Sequence, residues 1–210
     1  MDFKHFINKI SIIKSASIGG LEAQFSLAPK LRLKYSNEKI KALNPKKAAV
    51  LALFYPNQLG ETCFLLTLRA NYNGTHSSQI SFPGGKYDLN DVSLKDTALR
   101  ETFEEVGISI NNNSVFKQMT DVFIPPSNFL VTPYLGCLNE VPVFIKNHEV
   151  EETITITLKD LLDDFSISST TMSTSYGKNI EVPCFILNSY VVWGATAMML
   201  NEIKELLKNL

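Results

Sequence analysis

Two continuous apolar stretches, residues 48–55 and 63–68, constrain the fold of this chain more than any other feature. Apolar runs of this length, bounded by turn residues, are typical of strands that are buried on both faces of a sheet. The segment between them, residues 56–60, reads Pro-Asn-Gln-Leu-Gly and favours a turn. The two strands are therefore predicted to form a hairpin.

Further elements follow at irregular intervals along the chain. Strands are predicted at residues 79–82, 115–119, 131–138, 153–158 and 180–187, and helices at residues 93–106, 158–165 and 193–207. Strands and helices that alternate in this way predict an α/β fold, in which helices cover a mixed sheet. The 210 residues suit one globular domain. We expect residues 1–45 to be an N-terminal helix and lead-in packed on a domain formed by residues 46–210.

The N-terminal segment places apolar residues at helical spacing. These residues are Phe3, Phe6, Ile7, Ile10 and Ile13, interleaved with Lys4, Asn8, Lys9 and Lys14. The pattern indicates an amphipathic helix rather than a signal peptide. Such a helix can contact a membrane surface, but packing on the domain or on a second subunit is favoured, so a homodimer is possible. No apolar run reaches the ~18 residues that a membrane span needs, and we expect a cytoplasmic location.

Charge and cysteine content narrow the possible partners. The net charge of −1 argues against a broad basic surface for nucleic acid, yet it permits a small anionic ligand held by a few basic groups. Cys63, Cys137 and Cys184 lie in separate apolar runs and form no CxxC pair. They are predicted to be buried free thiols in a reducing compartment rather than zinc ligands or disulfides.

The helix at residues 93–106 carries an unusual concentration of glutamates. Ser93 and Asp96 resemble a capping box at its start, and Gly107 suits its C-terminal cap. On a helical wheel one face collects Leu99, Phe103 and Val106, which we expect to be buried, and the opposite face collects Glu101, Glu104 and Glu105. Like charges at this spacing repel each other, and a hard divalent cation such as Mg²⁺ or Mn²⁺ would reverse that repulsion. The alternative is an ordinary solvated cluster of glutamates.

Two neighbouring features favour the metal site. Arg100 is placed to pair with Glu104 one turn later, or with a carboxylate across the turn, and so to orient it. Gly84 and Gly85 precede the helix and are predicted to form a turn that lets the backbone approach a phosphate or a metal. Taken singly, these features also suit a surface ion pair and a turn that ends a strand.

This arrangement resembles the signature of the Nudix hydrolases. The resemblance rests on Gly85, Asp91 and the sequence Arg-Glu-Thr-Phe-Glu-Glu-Val-Gly-Ile at residues 100–108. Three positions depart from the pattern: Asp91 stands where glutamate is usual, Thr102 replaces an aliphatic residue, and one extra residue precedes Arg100. The resemblance implies an α/β/α sandwich, with Arg100, Glu101, Glu104 and Glu105 as catalytic residues and with Glu101, Glu104, Glu105 and Gly85 holding the metal.

The longer connector resembles the coenzyme A diphosphatase branch of that family. Residues 65–69, His76 and residues 79–86 are similar to its upstream motif, although Ala70 and Ser78 depart from it. Residues 125–134 and 193–197 also resemble this branch. The resemblance implies that Arg69, His76 and Lys86 bind the phosphates of a coenzyme A-type nucleotide.

The implied reaction is hydrolysis of a diphosphate bond, which would give 3′,5′-ADP and 4′-phosphopantetheine or its acylated form. The general base stays open between Glu104 or Glu105, acting through a coordinated water, and a loop carboxylate from Glu149, Glu151 or Glu152. Two other functions compete: a Nudix hydrolase of ADP-ribose, NADH or a nucleoside triphosphate, and a catalytically silent ligand-binding domain. Intact carboxylates argue against the silent domain.

Overall fold

The protein is described by a computed structural model that covers residues 1–30, 32–70, 79–174 and 177–208. Its main sheet contains eight strands: β1 (Lys46–Pro56), β2 (Thr62–Arg69), β3 (Ile80–Ser81), β4 (Gly84–Lys86), β5 (Val115–Gln118), β6 (Val122–Ile124), β7 (Phe129–Cys137) and β8 (Val150–Thr157). The predicted hairpin is confirmed, because β1 and β2 are antiparallel neighbours. Since β1 pairs with β7 in parallel, the sheet is mixed.

A second, smaller sheet follows the first. It contains β9 (Ile167–Thr174), β10 (Gly177–Leu187) and β11 (Tyr190–Trp193), which are joined in antiparallel order. Of these three strands, only β10 was predicted from the sequence. Strand β9 was not predicted, because serine and threonine dominate it and leave no apolar alternation.

The described residues form six α-helices: α1 (Phe3–Ser15), α2 (Gly20–Phe25), α3 (Asn37–Ala42), α4 (Leu94–Val106), α5 (Leu158–Leu162) and α6 (Gly194–Lys208). Successive residues of β1 point to opposite faces. Ala48, Ala52 and Phe54 join the core cluster that contains residues of α1 and α6, whereas Leu51 and Leu53 join the cluster under α4. Helices therefore lie on both faces of a mixed sheet, and the predicted α/β/α fold class is confirmed.

Helix α1 packs against the main sheet. Phe6 and Ile13 are fully buried, and the Phe6 ring lies 5.0 Å from the ring of Phe54 on β1. The division of the chain at residue 46 stays a prediction. None of the helices formed by the described residues is long and apolar enough to cross a bilayer. Cys63 and Cys184 are buried and Cys137 is half-buried, all three as free thiols.

The predicted buried face of α4 is right for Val106 but wrong for Phe103, and the predicted exposure of Glu105 is also wrong. The buried residues of α4 include Ala98, Thr102, Glu105 and Val106, whereas Phe103 is 55% exposed. The small side chains of Ala98 and Thr102 allow α4 to approach the sheet closely, and hydrogen-bond partners compensate the buried carboxylate of Glu105. The predicted turn at Gly84 and Gly85 was also wrong, because these residues form strand β4 beside β1.

A buried carboxylate links the lead-in to α6. Glu202 is 0% exposed and accepts hydrogen bonds from the Gly20 amide, the Gln24 side chain, and both the amide and the hydroxyl of Thr120. These donors belong to α2 and to the segment between β5 and β6. One side chain therefore holds three separate parts of the chain together.

Replacing Glu202 by alanine would leave several buried donors without an acceptor. We expect Glu202→Ala to lower the free energy of unfolding by about 3 kcal/mol or more, measured by denaturant titration. Glu205→Ala is the matched control, because Glu205 lies on the same helix but is exposed, and it should change stability by less than about 0.5 kcal/mol. Equal effects of the two substitutions would contradict this role for Glu202.

Candidate active site

Helix α4 begins and ends as its sequence predicts. The Ser93 hydroxyl accepts a hydrogen bond from the Asp96 amide at 3.3 Å, which caps the N-terminus. Gly107 ends the helix in the left-handed conformation, with φ of 72°, and its amide donates to the Phe103 carbonyl at 2.8 Å. These caps fix the axial position of the glutamates relative to strand β4.

Arg100 is the central cation of the site. Its Nε donates to Asp91 Oδ1 at 2.8 Å and its Nη2 donates to Asp91 Oδ2 at 3.0 Å, which makes a bidentate ion pair. Its Nη1 donates to Glu101 at 2.9 Å and to Glu104 at 3.2 Å. Its Nη2 also reaches the Lys86 carbonyl at 3.1 Å, which ties α4 to β4. The hydrogen bonds from Arg100 hold the pKa of the Asp91 carboxyl well below its usual range.

Asp91 is the partner of Arg100 that was not predicted by name from the sequence. Asp91 attracted notice only as a departure from a motif, although an arginine on the following helix offered a partner for it. In the structure it is buried and accepts further hydrogen bonds from the Thr97 hydroxyl at 2.7 Å and from the Asp88 amide at 3.0 Å. Arg100 thus makes both of the predicted kinds of pair: one with Glu104 and one with a carboxylate that precedes the helix, that of Asp91.

Glu105 is buried against strand β4. Its Oε2 accepts a hydrogen bond from the Gly84 amide at 3.0 Å, and its Oε1 accepts one from Arg69 Nη1 at 3.4 Å. Burial raises the pKa of the Glu105 carboxyl to about 7, although the Gly84 amide and the Arg69 charge oppose the change. Glu105 therefore lies on the side of α4 that faces the sheet, not on an exposed face opposite to it.

Glu101 occupies the space beside Gly85. A Cβ atom at position 85 would collide with the Glu101 carboxylate, so a side chain at this position would displace the acid. Burial raises the pKa of the Glu101 carboxyl, against the lowering effect of Arg100, and the nearby charges of Glu104 and Glu149 raise it further. Glycine at position 85 therefore leaves room for the Glu101 carboxylate beside β4.

The donor chemistry of these residues fits a hard divalent cation. The Glu101 side chain is partly buried and the Glu105 side chain is buried. Burying a charged carboxylate costs free energy because the charge loses hydration, and a bound divalent cation would offset that cost. Glu104 is exposed one turn from Arg100. Among residues 1–30, 32–70, 79–174 and 177–208, no three acidic, histidine or cysteine side chains are already gathered into a metal site, because Arg100, Arg69 and the Gly84 amide engage the carboxylates separately.

Arg69 joins the acidic helix to a loop carboxylate. It lies at the end of β2, 3.4 Å from Glu105 and 3.6 Å from Glu149 Oε2. Its Nε is buried and has no hydrogen-bond partner among the described residues. The structure thus brings Arg69 together with the predicted metal ligands and brings Glu149, which precedes β8, to the same place. His76 lies in residues 71–78, outside the described residues.

A cleft of about 360 Å³ begins beside these groups. Arg69, Gly84 and Gly85 line it and also contact the carboxylates of α4, whereas Lys86 lines it from the exposed end of β4. The rest of the lining is mainly apolar and includes Ala48, Val50, Phe82, Phe123, Val131, Met198 and Met199. Residues 125–127 and 193–196, which belong to the two segments that resemble the coenzyme A diphosphatase branch, also line this cleft. It has the size and the composition of a small-ligand site.

Comparisons with known proteins agree with this geometry. A model of the NUDIX domain matches residues 45–172. The human mitochondrial coenzyme A diphosphatase NUDT8 is 32% identical over 167 residues, which cover 78% of this chain and 70% of that protein. Nudix hydrolase 3 of Caenorhabditis elegans is 29% identical over 164 residues, covering 70% of this chain and 68% of that protein. The Yersinia pestis (strain Pestoides F) protein named uncharacterized Nudix hydrolase NudL is 32% identical over 146 residues, covering 69% and 72%.

A solved structure agrees on the fold. The crystal structure of a MutT/nudix family protein from Enterococcus faecalis superimposes with a TM-score of 0.55 and covers 80% of this chain and 68% of that chain, at 16% sequence identity. Nudix hydrolases generally use divalent metal ions, in keeping with the carboxylates of α4. Because the family model spans more than half of the chain and the relatives align over most of it, the chain belongs to the Nudix family and is a hydrolase of phosphorus anhydrides.

Proposed function

We propose that this Nudix hydrolase cleaves the diphosphate bond of coenzyme A or its derivatives, releasing 3′,5′-ADP and 4′-phosphopantetheine or its acylated form. One observation carries the proposal: buried carboxylates and Arg69 meet at Gly84 and Gly85, where a mainly apolar cleft begins. This arrangement suits a ligand with a polyanionic centre and a less polar arm. The 32% identity to human coenzyme A diphosphatase supports the same substrate class.

The proposed reaction divides the work among the residues of the site. Glu101, Glu104 and Glu105, with a Gly85 carbonyl, would hold Mg²⁺ or Mn²⁺. A bound cation would supply positive charge to neutralise the diphosphate and would activate water for attack. Arg100 keeps Glu101 and Glu104 oriented through its hydrogen bonds. Arg69 and Lys86 bind phosphate oxygens at the rim of the cleft.

Among the loop carboxylates, we propose Glu149 as the proton acceptor. Both oxygens of Glu105 already accept hydrogen bonds, and Glu152 accepts one from the Tyr190 hydroxyl at 2.7 Å. Glu149 lies 3.6 Å from Arg69, and its side chain is half exposed. Its charge also raises the pKa of both Glu101 and Glu105. Glu149 is thus positioned next to bound diphosphate, with an oxygen available for water.

The substrate prediction is tested by turnover of four diphosphate or triphosphate compounds. Purified protein is incubated separately with coenzyme A, ADP-ribose, NADH and dATP, with Mg²⁺ or Mn²⁺, and the products are separated by chromatography. We expect coenzyme A to be hydrolysed fastest, by about tenfold or more. Another substrate would leave polar groups of the site without hydrogen-bond partners, which weakens binding of the transition state. Glu104→Gln should lower this rate on the order of a hundredfold, as loss of one preorganised charge does.

Because Glu104 is exposed, its isosteric substitution should leave folding intact. Faster turnover of another compound would contradict coenzyme A as the substrate while leaving the hydrolase in place. Full activity of Glu104→Gln would contradict its role as a metal ligand.

The role of Glu149 is tested with its close neighbour as the control. Glu149→Gln should lower kcat by about 10²–10⁴-fold with little change in KM, because general-base catalysis contributes that much to the rate. Glu151→Gln should behave as the wild type, since Glu151 is an exposed residue of β8 with no ion pair among the described residues. Equal, near-normal kcat values for the two variants would leave the base to Glu104 or Glu105.

Further predictions accompany this proposal. We propose that the active protein is a homodimer in the cytoplasm, that it binds no nucleic acid, and that the lead-in of residues 1–45 serves the hydrolase domain that follows it. His76 stays a predicted contact for substrate phosphate.

A further inference from the structure

We propose that the apolar part of the cleft is the recognition site for the pantetheine arm of the substrate, and that the 3′-phosphorylated nucleotide half stays at the rim. We call this part the arm site and define it by Pro29, Ile80, Phe123, Val131, Ala195 and Met199. The inference rests on the proposed function and deepens it, because it assigns each half of coenzyme A to a place on the protein.

The arm site lies on the face of the sheet opposite to α4. Ala48 and Val131 belong to the cluster that contains α6, whereas Leu51 and Ala98 belong to the cluster under α4. Arg69, Gly84 and Gly85 border both the carboxylates and the cleft. A substrate whose diphosphate lies at these three residues therefore extends one of its halves into the arm site.

The reach of the cleft suits an extended chain. Lys86 pairs with Ala48, Ala48 with Val131, and Val131 with Val122, so one row of residues crosses β4, β1, β7 and β6. Three steps between neighbouring strands span about 14 Å. The cleft is lined from Lys86 at one end of this row to Phe123 and Ile124 on β6 at the other. A flexible arm can follow this floor away from the diphosphate.

The distribution of charge decides which half enters. Arg69 and Lys86 lie beside the glycine pair, where phosphates are expected. At the far wall, Arg32 is only 3% exposed and lies between the rings of Phe25 and Phe123, with its Nε donating to the Phe123 carbonyl at 2.9 Å. A phosphorylated ribose over the apolar floor would lose hydration beside an Arg32 guanidinium that the Phe123 and Tyr35 carbonyls already engage. That loss is a larger penalty than an uncharged amide incurs. The charges therefore favour the arm inside and the phosphates at the rim.

Two hydroxyl groups of the cleft suit the amides of such an arm. Ser81 Oγ and Ser127 Oγ are buried and have no hydrogen-bond partner among the described residues, and both residues line the cleft. A hydroxyl can donate to an amide carbonyl or accept from an amide N–H. Buried polar groups normally find partners, and the amides of the arm would supply them.

Part of the wall of the arm site comes from outside the family match. Pro29 and Arg32 precede the matched residues 45–172, and Trp193, Ala195 and Met199 follow them. The bond from Arg32 to the Phe123 carbonyl fixes the lead-in against β6. The matched residues thus contain the acidic helix and the floor of the cleft, while segments on either side of the match complete the walls of the arm site.

The test measures binding of the two products to a blocked cleft. Ala195 lies at the start of α6, and Ala195→Phe would fill the arm site with a ring. By calorimetry in the presence of Mg²⁺, we expect the Kd for 4′-phosphopantetheine to rise at least about tenfold in this variant, since the ring displaces the arm from its apolar contacts. The Kd for 3′,5′-ADP should stay within about twofold of the wild-type value.

Ala195→Ser is the matched control, because it keeps the cleft open and should bind both products as the wild type does. Ser127→Leu is a second blocking variant on another wall, and preserved 3′,5′-ADP binding shows that either variant is folded. Weaker binding of 3′,5′-ADP with unchanged 4′-phosphopantetheine would overturn the inference, as would equal effects on both. Hydrolysis of coenzyme A by the wild type, measured first, tests the proposed function separately.

Discussion

The bidentate ion pair between Arg100 and Asp91 is the interaction on which the active site depends. A guanidinium held at two of its nitrogens, Nε and Nη2, cannot rotate freely. Its remaining donors therefore reach Glu101, Glu104 and the Lys86 carbonyl in a fixed direction. Asp91 is itself fixed by the Thr97 hydroxyl and the Asp88 amide. Although aspartate is shorter than the glutamate that is usual at this position, Asp91 reaches Arg100 because the loop before α4 holds it against the helix. Without the charge of Arg100, the carboxylates of Asp91, Glu101 and Glu104 would repel one another.

The sheet separates chemistry from recognition. Its α4 face carries the acidic residues, and its α6 face forms the floor of the apolar cleft. The two regions meet at β4, where Gly85 lets the Glu101 carboxylate approach the backbone. The Gly84 amide and Arg69 compensate the buried Glu105 from the same place. Strand β4 therefore contacts the acidic residues of α4 and also lines the apolar cleft.

Much of this could be predicted from the sequence because the strongest signals were local. Continuous apolar runs predicted β1 and β2, and capping residues predicted both ends of α4. The wheel of α4 failed in part because it assumed that apolar residues face the core, whereas Thr102 and Glu105 are buried there and Phe103 is exposed. Polar partners on β2 and β4 compensate Glu105, and such long-range partners are invisible to periodicity. The cleft was out of reach for the same reason, since residues 29–32, 123–131 and 193–199 meet only in three dimensions.

The most direct test of this account is the affinity of the protein for Mn²⁺ when the ion pair is weakened. Asp91→Asn removes the charge that holds Arg100, and Asp88→Asn changes a neighbouring exposed carboxylate with no ion pair among the described residues. Titration followed by electron paramagnetic resonance should give a Kd for Mn²⁺ that is about 10–100-fold weaker in Asp91→Asn, the loss typical of residues that orient metal ligands. Asp88→Asn should bind as the wild type. Wild-type affinity in Asp91→Asn would contradict the claim that this ion pair organises the site.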